Sequence, residues 1–378
     1  MQTLEGSIAV AETVKNCVPD VVACYPITPS THIAEALARH YADGKLKSYI
    51  TVEAEFSAIS ALIGASATGA RSFTTTSSQG LALMHEALFC AAGMRLPMVA
   101  VVANRALSAP LSIWNDHQDT ISERDSGWIQ LYCETNQEVV DTIPLAFKLS
   151  ESTFLPVMVC MDGFYLTHAV EQLEVPSEEF IKQFLPPFKP AAVLDSEKPI
   201  SIGTYAFPKD YNSFRRDIND DLFASKNTFK KLDAEWKKLT GRGYGLLEEY
   251  KTKDADSIFL AMGSITGNAK EAVDELRAKG EKVGVLKLKC YRPFPNEELA
   301  EALSHAKHVA VFEKDVSLGG APPLFSEVEH ALATLSEKEK PILSSFLGGI
   351  GGTDITSNDV KLIFKKISSG KRLMEWYG

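Results

Sequence analysis

The sequence predicts an α/β protein built from two parallel-sheet domains. Short apolar runs rich in β-branched residues alternate with helical patterns over most of the 378-residue chain. Such alternation is typical of parallel strands that helices cover on both faces. The rhythm is interrupted between about residues 186 and 256. The chain length also corresponds to two or three domains of ordinary size.

The first half of the chain contains a regular series of predicted elements. Helices are expected over residues 7–18, 31–41, 55–68, 81–93 and 138–152. Strands are expected over residues 21–27, 47–52, 71–76, 97–104 and 156–161. The helices show apolar residues at helical spacing, and the strands are short apolar runs. Ser30 is the expected N-cap of the second helix.

A second series follows the interruption. Prolines, aromatic residues and charges mix there, and only residues 227–239 show a helical pattern. We interpret the segment from about residue 186 as an extended connector that packs over the first domain. Strands are then expected over 257–262, 282–289, 308–312 and 342–347, and helices over 268–279, 296–306 and about 324–335. The predicted domains are therefore residues 1–240, including the connector, and residues 241–378.

Composition and charge exclude several classes of protein. Apolar residues make up 45% and charged residues 23% of the chain, which is typical of globular rather than disordered proteins. With 39 basic and 49 acidic residues the net charge is −10, which argues against a nucleic-acid-binding protein. The N-terminus has no pattern of a signal peptide, and the longest apolar run, near residues 96–103, is too short to cross a membrane.

The six cysteines are scattered along the chain, and none forms a C-x-x-C pair. Zinc sites and iron–sulfur clusters need clustered thiolates, so we expect neither to be held by this chain alone. No metal-ligand spacing is found elsewhere in the sequence. Dispersed cysteines in apolar stretches are typical of reduced thiols, which predicts a cytoplasmic protein.

Four polar segments follow predicted strands of the first domain, at residues 25–30, 52–55, 74–80 and 104–119. In the first, Thr28 stands between two prolines at a helix start, a place that favours anions. Taken alone, these residues fit ordinary helix-start chemistry better, because helix caps are far commoner than binding sites. In the second, Glu53 and Glu55 either complement the helix dipole or supply a partly desolvated carboxylate that shares a proton with a ligand nitrogen.

The third and fourth segments also leave two interpretations open. The hydroxyl-rich residues 74–80 suit a polar ring or a phosphate, or are simply a polar strand end. Arg105 ends a buried apolar strand, so it is expected either to grip a substrate carboxylate or to pair with Asp116 or Asp119. His117 is a general base or an ordinary hydrogen-bonding residue. The glycines at 349–352 and Gly263 lack a nucleotide-binding spacing.

Taken together, these segments resemble the alpha subunits of the pyruvate:ferredoxin oxidoreductases, within the wider 2-oxoacid:ferredoxin oxidoreductase family. The matching motifs are YPITPST (25–31), VEAEFSAI (52–59), TTSSQGLALM (75–84), NRALSAPLSIWNDHQD (104–119), RDSGWIQLY (124–132) and YRPFP (291–295). The resemblance covers nearly the whole chain. It implies a thiamin-pyrimidine-binding domain followed by a transketolase C-terminal-like domain.

The resemblance also implies roles for individual residues. Glu55 looks like the contact to N1′ of the thiamin aminopyrimidine, and Pro26, Ser78 and Gln79 look like further cofactor contacts. Thr28 and Arg105 look like the contacts to the substrate carboxylate. The implied reaction is the reversible oxidative decarboxylation of pyruvate with coenzyme A, which gives acetyl-CoA, carbon dioxide and reduced ferredoxin.

Two parts of the implied enzyme are missing from this sequence. It contains no G-D-G…N segment of the type that holds Mg²⁺ and the diphosphate, and its cysteines are not clustered. The resemblance therefore implies that Mg²⁺ and the iron–sulfur clusters lie on partner subunits, named beta, gamma and delta. The open alternatives are the same enzyme class acting on a branched-chain 2-oxo acid or oxalate, a transketolase-like enzyme without redox chemistry, and a non-catalytic subunit.

Overall fold

A computed structural model of the protein describes residues 1–190 and 192–377. Within these residues the strands form one small antiparallel sheet and two large sheets. The small sheet pairs β1 (Gln2–Glu5) with β8 (Val170–Leu173). The strands of the first large sheet are β2 (Val21–Cys24), β3 (Tyr49–Thr51), β4 (Ser72–Thr76), β5 (Val99–Asn104), β6 (Ile129–Cys133), β7 (Val157–Asp162) and β12 (Cys290–Arg292).

The first large sheet has the strand order β12-β6-β7-β5-β4-β2-β3. Its strands are parallel except β12, which pairs antiparallel with β6. Because the chain passes from β2 to β3 and then crosses back to β4, the order reverses between β2 and β4. Loops diverge at such a reversal and leave a crevice at the carboxyl ends of the strands.

Helices cover both faces of this sheet. They are α1 (Gly6–Asn16), α2 (Thr31–Ala42), α3 (Glu55–Ala67), α4 (Ser78–Leu83), α5 (His85–Gly93), α6 (Gln118–Ser122), α7 (Asn136–Thr153), α8 (Glu178–Phe184) and α9 (Pro208–Thr240). The single helix predicted over 81–93 is in fact two, α4 and α5, which meet at Met84. Ser30 precedes α2 as predicted, but its hydroxyl donates to the Ile27 carbonyl rather than capping the helix.

The second large sheet has the order β15-β14-β13-β10-β11-β9. Its strands are β9 (Leu247–Tyr250), β10 (Ser257–Ala261), β11 (Val283–Leu288), β13 (His308–Glu313), β14 (Ile342–Gly348) and β15 (Met374–Tyr377). The helices on this sheet are α10 (Ile265–Ala278), α11 (Asn296–Leu303), α12 (Pro323–Leu332) and α13 (Ser357–Ile367), and a 3₁₀ turn lies at Ile350–Gly352. The predicted α/β class is therefore confirmed. The predicted division of the chain at residue 240 remains a prediction.

The connector differs from its prediction. Residues 186–190 and 192–207 contain neither helix nor strand, but α9 then runs for 33 residues instead of the 13 predicted over 227–239. Apolar side chains recur every three or four residues along α9, from Tyr211 through Phe214 and Ile218 to Trp236. The many charges between them concealed this pattern. The C-terminal half of α9 buries Phe229 and Trp236, which fastens the helix to the first domain.

The two large sheets are joined through a buried network of charges. Lys287, on β11, lies 2.9 Å from Glu134 and 3.0 Å from Glu138, which flank the end of β6 and the start of α7. Lys289 lies 2.9 Å from the same Glu138. Burial opposes ionisation, but the two lysines overcome it and lower the pKa of Glu138 to about 2. Removing one partner of a buried pair of this kind strongly destabilises the fold, because the other charge is left buried and unpaired. No helix in the described part of the chain is both long and apolar enough to span a membrane.

Candidate active site at the carboxyl edge of the first sheet

The four polar segments meet at the carboxyl edge of the first sheet. They follow β2, β3, β4 and β5, and these strands are neighbours in the sheet order. The crevice where the strand order reverses lies between the first and third segments. Parallel topology thus brings together residues that are far apart in the sequence, such as Thr28 and Arg105, 77 positions apart.

A direct contact joins Thr28 and Arg105. The Arg105 Nη1 donates to the main-chain carbonyl of Thr28 at 2.9 Å, and its Nε donates to the carbonyl of Ser112 at 3.0 Å. Arg105 is 6% exposed, whereas Thr28 lies at the surface. Burial lowers the pKa of the guanidinium, and the nearby Asp119 opposes that shift. The site therefore holds a partly desolvated cation beside an exposed threonine.

The structural alternative for Arg105, an ion pair with Asp116 or Asp119, is not what the fold contains. In residues 1–190 and 192–377 the guanidinium forms no ion pair, and its hydrogen-bond acceptors are carbonyl oxygens. Asp119 instead accepts from the main-chain N–H of Arg105 at 3.0 Å. Asp116 accepts from the main-chain N–H of Gly351 at 3.0 Å. The guanidinium charge is thus available for an anionic ligand.

Asp119 organises the third and fourth segments. Besides Arg105, it accepts from the main-chain N–H of Ser78 at 2.9 Å and from the side-chain amide of Asn104 at 2.9 Å. The carboxylate is fully buried, and this burial raises its pKa to about 6 although these hydrogen bonds oppose the shift. Sequence reasoning missed this role, since the donors belong to two separate loops.

Glu55 and Glu53 occupy different environments. Glu55 is the first residue of α3 and is only 6% exposed. A Cβ atom added to Gly80 would lie 2.5 Å from Glu55 Oε1, which is closer than real Cβ atoms approach. Position 80 must therefore be glycine if the Glu55 carboxylate is to keep its present place. Glu53 is exposed and accepts a hydrogen bond from Ser57 at 2.5 Å, which accounts for it as an ordinary helix-start residue.

The hydroxyl-rich third segment contains buried polar atoms without partners. The hydroxyls of Thr75, Thr76 and Ser77 are buried and lack hydrogen-bond partners among the described residues. A Cβ at Gly80 would also lie 2.5 Å from Thr76 Oγ1. Buried polar groups in proteins nearly always have a hydrogen-bond partner, so these three hydroxyls are available to a bound ligand or to water.

The other residues predicted for cofactor binding lie in the same region. Ser78 has its hydroxyl within 2.6 Å of Gln79 Oε1 and within 2.5 Å of the Ala106 carbonyl. Its main chain has φ of +48°, in the left-handed region that costs energy for a residue with a side chain. Gln79 is half-buried, and Pro26 lies exposed on the first segment.

His117 lies behind the crevice rather than in it. The ring is 1% exposed, and its Nε2 is 2.8 Å from Asp162 Oδ1 at the end of β7. Asp162 also accepts from Ser264 Oγ at 2.6 Å and lies 3.3 Å from Lys314. Burial would raise the pKa of Asp162, but Lys314 and His117 hold it well below its usual range. These contacts join the two large sheets and favour the structural interpretation of His117.

The glycines after β14 have a packing role beside the fourth segment. A Cβ atom at Gly352 would lie 2.4 Å from Trp114 Cβ, and Gly352 has φ of +83°. The turn therefore fits directly against the loop that carries Arg105. Together with the Gly351–Asp116 hydrogen bond, this contact fixes the fourth segment from the second sheet.

Two family models match the chain. The model for pyruvate flavodoxin/ferredoxin oxidoreductase, thiamine diphosphate-binding, matches residues 12–233. The model for pyruvate:ferredoxin oxidoreductase core domain II matches residues 255–360. The first match contains all four polar segments of the crevice.

Curated relatives match over nearly full length. The chain is 46% identical to pyruvate synthase subunit PorA of Methanothermobacter thermautotrophicus over 383 residues, covering 100% of this chain and 98% of that protein. It is 48% identical to PorA of Pyrococcus abyssi, covering 94% of this chain and 91% of that protein. It is also 44% identical to ketoisovalerate oxidoreductase subunit VorA of Pyrococcus abyssi, covering 100% and 97%.

Solved structures share the fold. A 2-oxoglutarate:ferredoxin oxidoreductase from Magnetococcus marinus, with 2-oxoglutarate, coenzyme A and succinyl-CoA bound, superimposes with a TM-score of 0.74 at 22% identity, covering 98% of this chain and 65% of that chain. A split-gene transketolase, an inactive beta4 tetramer, gives 0.58 at 14% identity, covering 98% and 100%. Such low identities establish the architecture alone. Together with the family models and the curated relatives, they lead to one conclusion: the chain belongs to the pyruvate flavodoxin/ferredoxin oxidoreductase family.

Proposed function

We propose that this chain is the alpha subunit of a thiamin-diphosphate-dependent pyruvate:ferredoxin oxidoreductase. The enzyme would convert pyruvate and coenzyme A reversibly into acetyl-CoA and carbon dioxide while reducing ferredoxin. Full-length similarity at 46% identity to a pyruvate synthase subunit supports this assignment. Within the fold, one observation carries the assignment: the buried Glu55 carboxylate lies so close to Gly80 that a Cβ atom there would be 2.5 Å from Glu55 Oε1.

The residues of the crevice fit the cofactor. A desolvated carboxylate at Glu55 suits the protonated N1′ of the aminopyrimidine, and we propose that Glu55 holds the proton at that nitrogen. The orphaned hydroxyls of Thr75, Thr76 and Ser77 supply hydrogen bonds to polar atoms of the ring. When bound, thiamin diphosphate supplies the electron sink for decarboxylation.

Further contacts to the cofactor are proposed for Pro26, Ser78 and Gln79. Pro26 is exposed on the first segment, where it can offer an apolar surface to the ring. Ser78 and Gln79 begin α4 beside the orphaned hydroxyls. Because the Ser78 hydroxyl already contacts Gln79 and Ala106, its main contribution would be to fix the shape of this segment.

Thr28 and Arg105 are the proposed contacts to the pyruvate carboxylate. Arg105 keeps N–H donors beyond those it gives to Thr28 and Ser112, and a guanidinium suits the planar carboxylate group. The Arg105–Thr28 contact holds the cation at the first segment. Both residues would thereby orient pyruvate without taking part in proton transfer.

Partner subunits are proposed to complete the site. Large apolar side chains surround the crevice and are exposed in the isolated chain: Tyr25, Phe56, Leu83, Leu111 and Trp114. Exposed apolar surface of this kind is typical of protein interfaces. We propose that a beta subunit covers it and brings Mg²⁺ and the diphosphate site. Gamma and delta subunits would complete the complex, and partner subunits would carry the iron–sulfur clusters that reduce ferredoxin. The cytoplasmic location stays a prediction.

A branched-chain 2-oxo acid is the second candidate substrate. The identity to ketoisovalerate oxidoreductase subunit VorA, 44%, is only slightly lower than that to the pyruvate synthase subunits. The short Thr28 beside Arg105 favours a small substrate such as pyruvate. Pocket walls supplied by a beta subunit would contribute to this choice as well.

A substrate panel tests the proposal. The reconstituted complex is supplied with coenzyme A and a viologen dye, and dye reduction is measured with pyruvate, 2-oxoisovalerate and oxalate. The proposal predicts the highest kcat/KM with pyruvate. Preference for 2-oxoisovalerate or oxalate would replace the substrate but keep the enzyme class. Turnover of 2-oxo acids without any dye reduction would instead support a transketolase-like enzyme.

A further inference from the structure

Three side chains of the types that bind metal ions lie together, although they come from separate parts of the chain. We name Glu5, His32 and His168 the Glu–His cluster. Glu5 ends β1, His32 lies in the first turn of α2, and His168 follows β7. One carboxylate oxygen and one nitrogen of each ring all lie within 4.8 Å of one another. The two rings have centroids 5.0 Å apart, and His32 Nδ1 is 2.7 Å from Glu5 Oε1.

We propose that the Glu–His cluster binds a divalent transition-metal ion, of which Zn²⁺ fits best. Two imidazoles and one carboxylate are a ligand set used by Zn²⁺, with water in the fourth position. Bonds of about 2.0–2.2 Å place the donor atoms of a tetrahedral ion about 3.4 Å apart. The three donor atoms lie within 4.8 Å of one another, so binding would require them to move closer to this spacing. The sequence showed no metal motif because the three ligands lie 27 or more positions apart.

The cluster is accessible, and an ion can replace its present hydrogen bond. The side chains of His32 and Glu5 are 45% and 24% exposed, so an ion reaches them from solvent. A proton now lies between His32 Nδ1 and Glu5 Oε1, and a metal ion would take its place between the same two atoms. A neutral His32 ring would then carry its proton on Nε2, which leaves the Nδ1 lone pair for the ion.

The ring of His168 has a hydrogen-bond partner that can fix its orientation. Its Nδ1 is 2.7 Å from Thr167 Oγ1, which also accepts from the Phe164 N–H at 2.8 Å. A hydroxyl oxygen has two lone pairs, so it can accept from the His168 Nδ1–H as well. That tautomer leaves the Nε2 lone pair of His168 for the ion. Histidine ligands are usually oriented by such a partner.

A bound ion would connect the cluster to the crevice. His32 lies four residues after Thr28. The ring of His168 stacks on that of Phe164, with the ring centroids 4.7 Å apart. The Phe164 ring in turn packs against Trp114, in the loop that follows Arg105, with the centroids 4.6 Å apart. The ion would therefore hold β1, the start of α2 and the turn after β7 together. Since only the folded chain gathers these ligands, Zn²⁺ is expected to raise its melting temperature.

Calorimetric titration of the full-length chain with zinc chloride tests the proposal. The chain is first stripped with a chelator and carries Cys90→Ser, because Cys90 is an exposed free thiol that would itself bind zinc. We expect one Zn²⁺ per chain. His32→Ala should weaken binding by more than about 10-fold, because even residues that only orient a metal ligand typically cost 10- to 100-fold when mutated. Glu5→Gln should weaken it likewise.

A matched control is provided by His85→Ala. His85 Nδ1 lies 2.7 Å from Glu123 Oε2, a histidine–glutamate pair that the described residues do not extend to a three-ligand group. This variant should bind Zn²⁺ as the parent does and show the same rise in melting temperature. Failure of the parent chain to bind one equivalent, or equal binding by the His32→Ala and His85→Ala variants, would overturn the proposal. Circular dichroism verifies that each variant is folded.

Discussion

The Arg105 guanidinium lies against the main-chain carbonyl of Thr28, with Nη1 2.9 Å from the oxygen. Arg105 follows β5 and Thr28 follows β2, so this hydrogen bond bridges the loops of two strands that β4 separates in the sheet. A buried arginine whose acceptors are carbonyl oxygens keeps its charge for a ligand. The contact thus holds the cation at the first segment, as the proposed contact to the pyruvate carboxylate requires.

The first prediction concerns substrate affinity. Arg105→Lys should lower kcat/KM for pyruvate by about 10- to 100-fold, because an ammonium cannot keep the Thr28 and Ser112 contacts and also grip a carboxylate. Most of the change should be a higher KM, measured by steady-state dye reduction. Arg124→Lys is the control, since Arg124 also donates to a main-chain carbonyl, that of Ile121, but lies outside the crevice. An unchanged KM in Arg105→Lys would contradict the assigned role.

The second prediction concerns the close approach of Gly80 to Glu55. In Gly80→Ala the new methyl group would lie 2.5 Å from both Glu55 Oε1 and Thr76 Oγ1, so the carboxylate must move. We expect weaker thiamin diphosphate binding and at least about a 10-fold loss of pyruvate oxidation, since displacements near 1 Å cost up to 10²-fold in rate. Gly64→Ala is the control, because a Cβ there meets nothing within 4 Å. Equal activity of the two variants would show that Glu55 does not need this space.

The third prediction concerns the pH dependence of stability. Burial raises the pKa of Glu313 to about 8, although the N–H groups of Leu324 and Phe325 oppose the shift. The folded state therefore retains a proton that the unfolded state loses above about pH 4.5, so stability falls as pH rises through this window to about pH 8. A shift of this size corresponds to a loss on the order of 5 kcal/mol in the free energy of unfolding.

Glu313→Gln should remove this dependence, because the amide stays neutral. Its oxygen keeps one of the two main-chain N–H contacts, and the other is lost at every pH alike. Urea denaturation of both proteins between pH 5 and pH 9 measures the effect. All other titrating groups are shared, so the difference between the two curves isolates Glu313. The parent should lose more stability than the variant over this range. Parallel curves would mean that the Glu313 carboxyl ionises at an ordinary pH.

Much of the fold could be predicted from the sequence because each parallel strand is a short apolar run beside a periodic helix. The strand β12 could not, since three residues pair with β6 from about 160 positions away. Likewise, the N-terminal half of α9 was not predicted. Its apolar residues, such as Tyr211 and Phe214, stand among many charges, and the structure leaves both exposed. The helical spacing of these residues becomes clear only when it is read as a continuation of the buried C-terminal half of the helix.

The residues of the candidate site could be proposed from the sequence, but their contacts could not. Thr28, Glu55 and Arg105 were identified from motif resemblance, and parallel topology explains why their loops meet. The acceptors of Arg105 could not be foreseen, because carbonyl oxygens of distant loops leave no mark in the sequence. One of the two interpretations of Arg105 was an ion pair with Asp116 or Asp119, but the Asp119 carboxylate instead accepts from the main chain of two loops. Such contacts depend on tertiary packing alone.

Glu55 carries the central claim, and its neighbour Glu53 provides a control two residues away. Glu55 is buried against Gly80, whereas Glu53 is exposed. The most direct measurement is therefore pyruvate-dependent dye reduction by reconstituted complexes that contain Glu55→Gln or Glu53→Gln, with subunit co-purification verified for each. Glu55→Gln should assemble normally but lose nearly all activity, and Glu53→Gln should retain the parent rate. Near-normal turnover by an assembled Glu55→Gln complex would contradict the account.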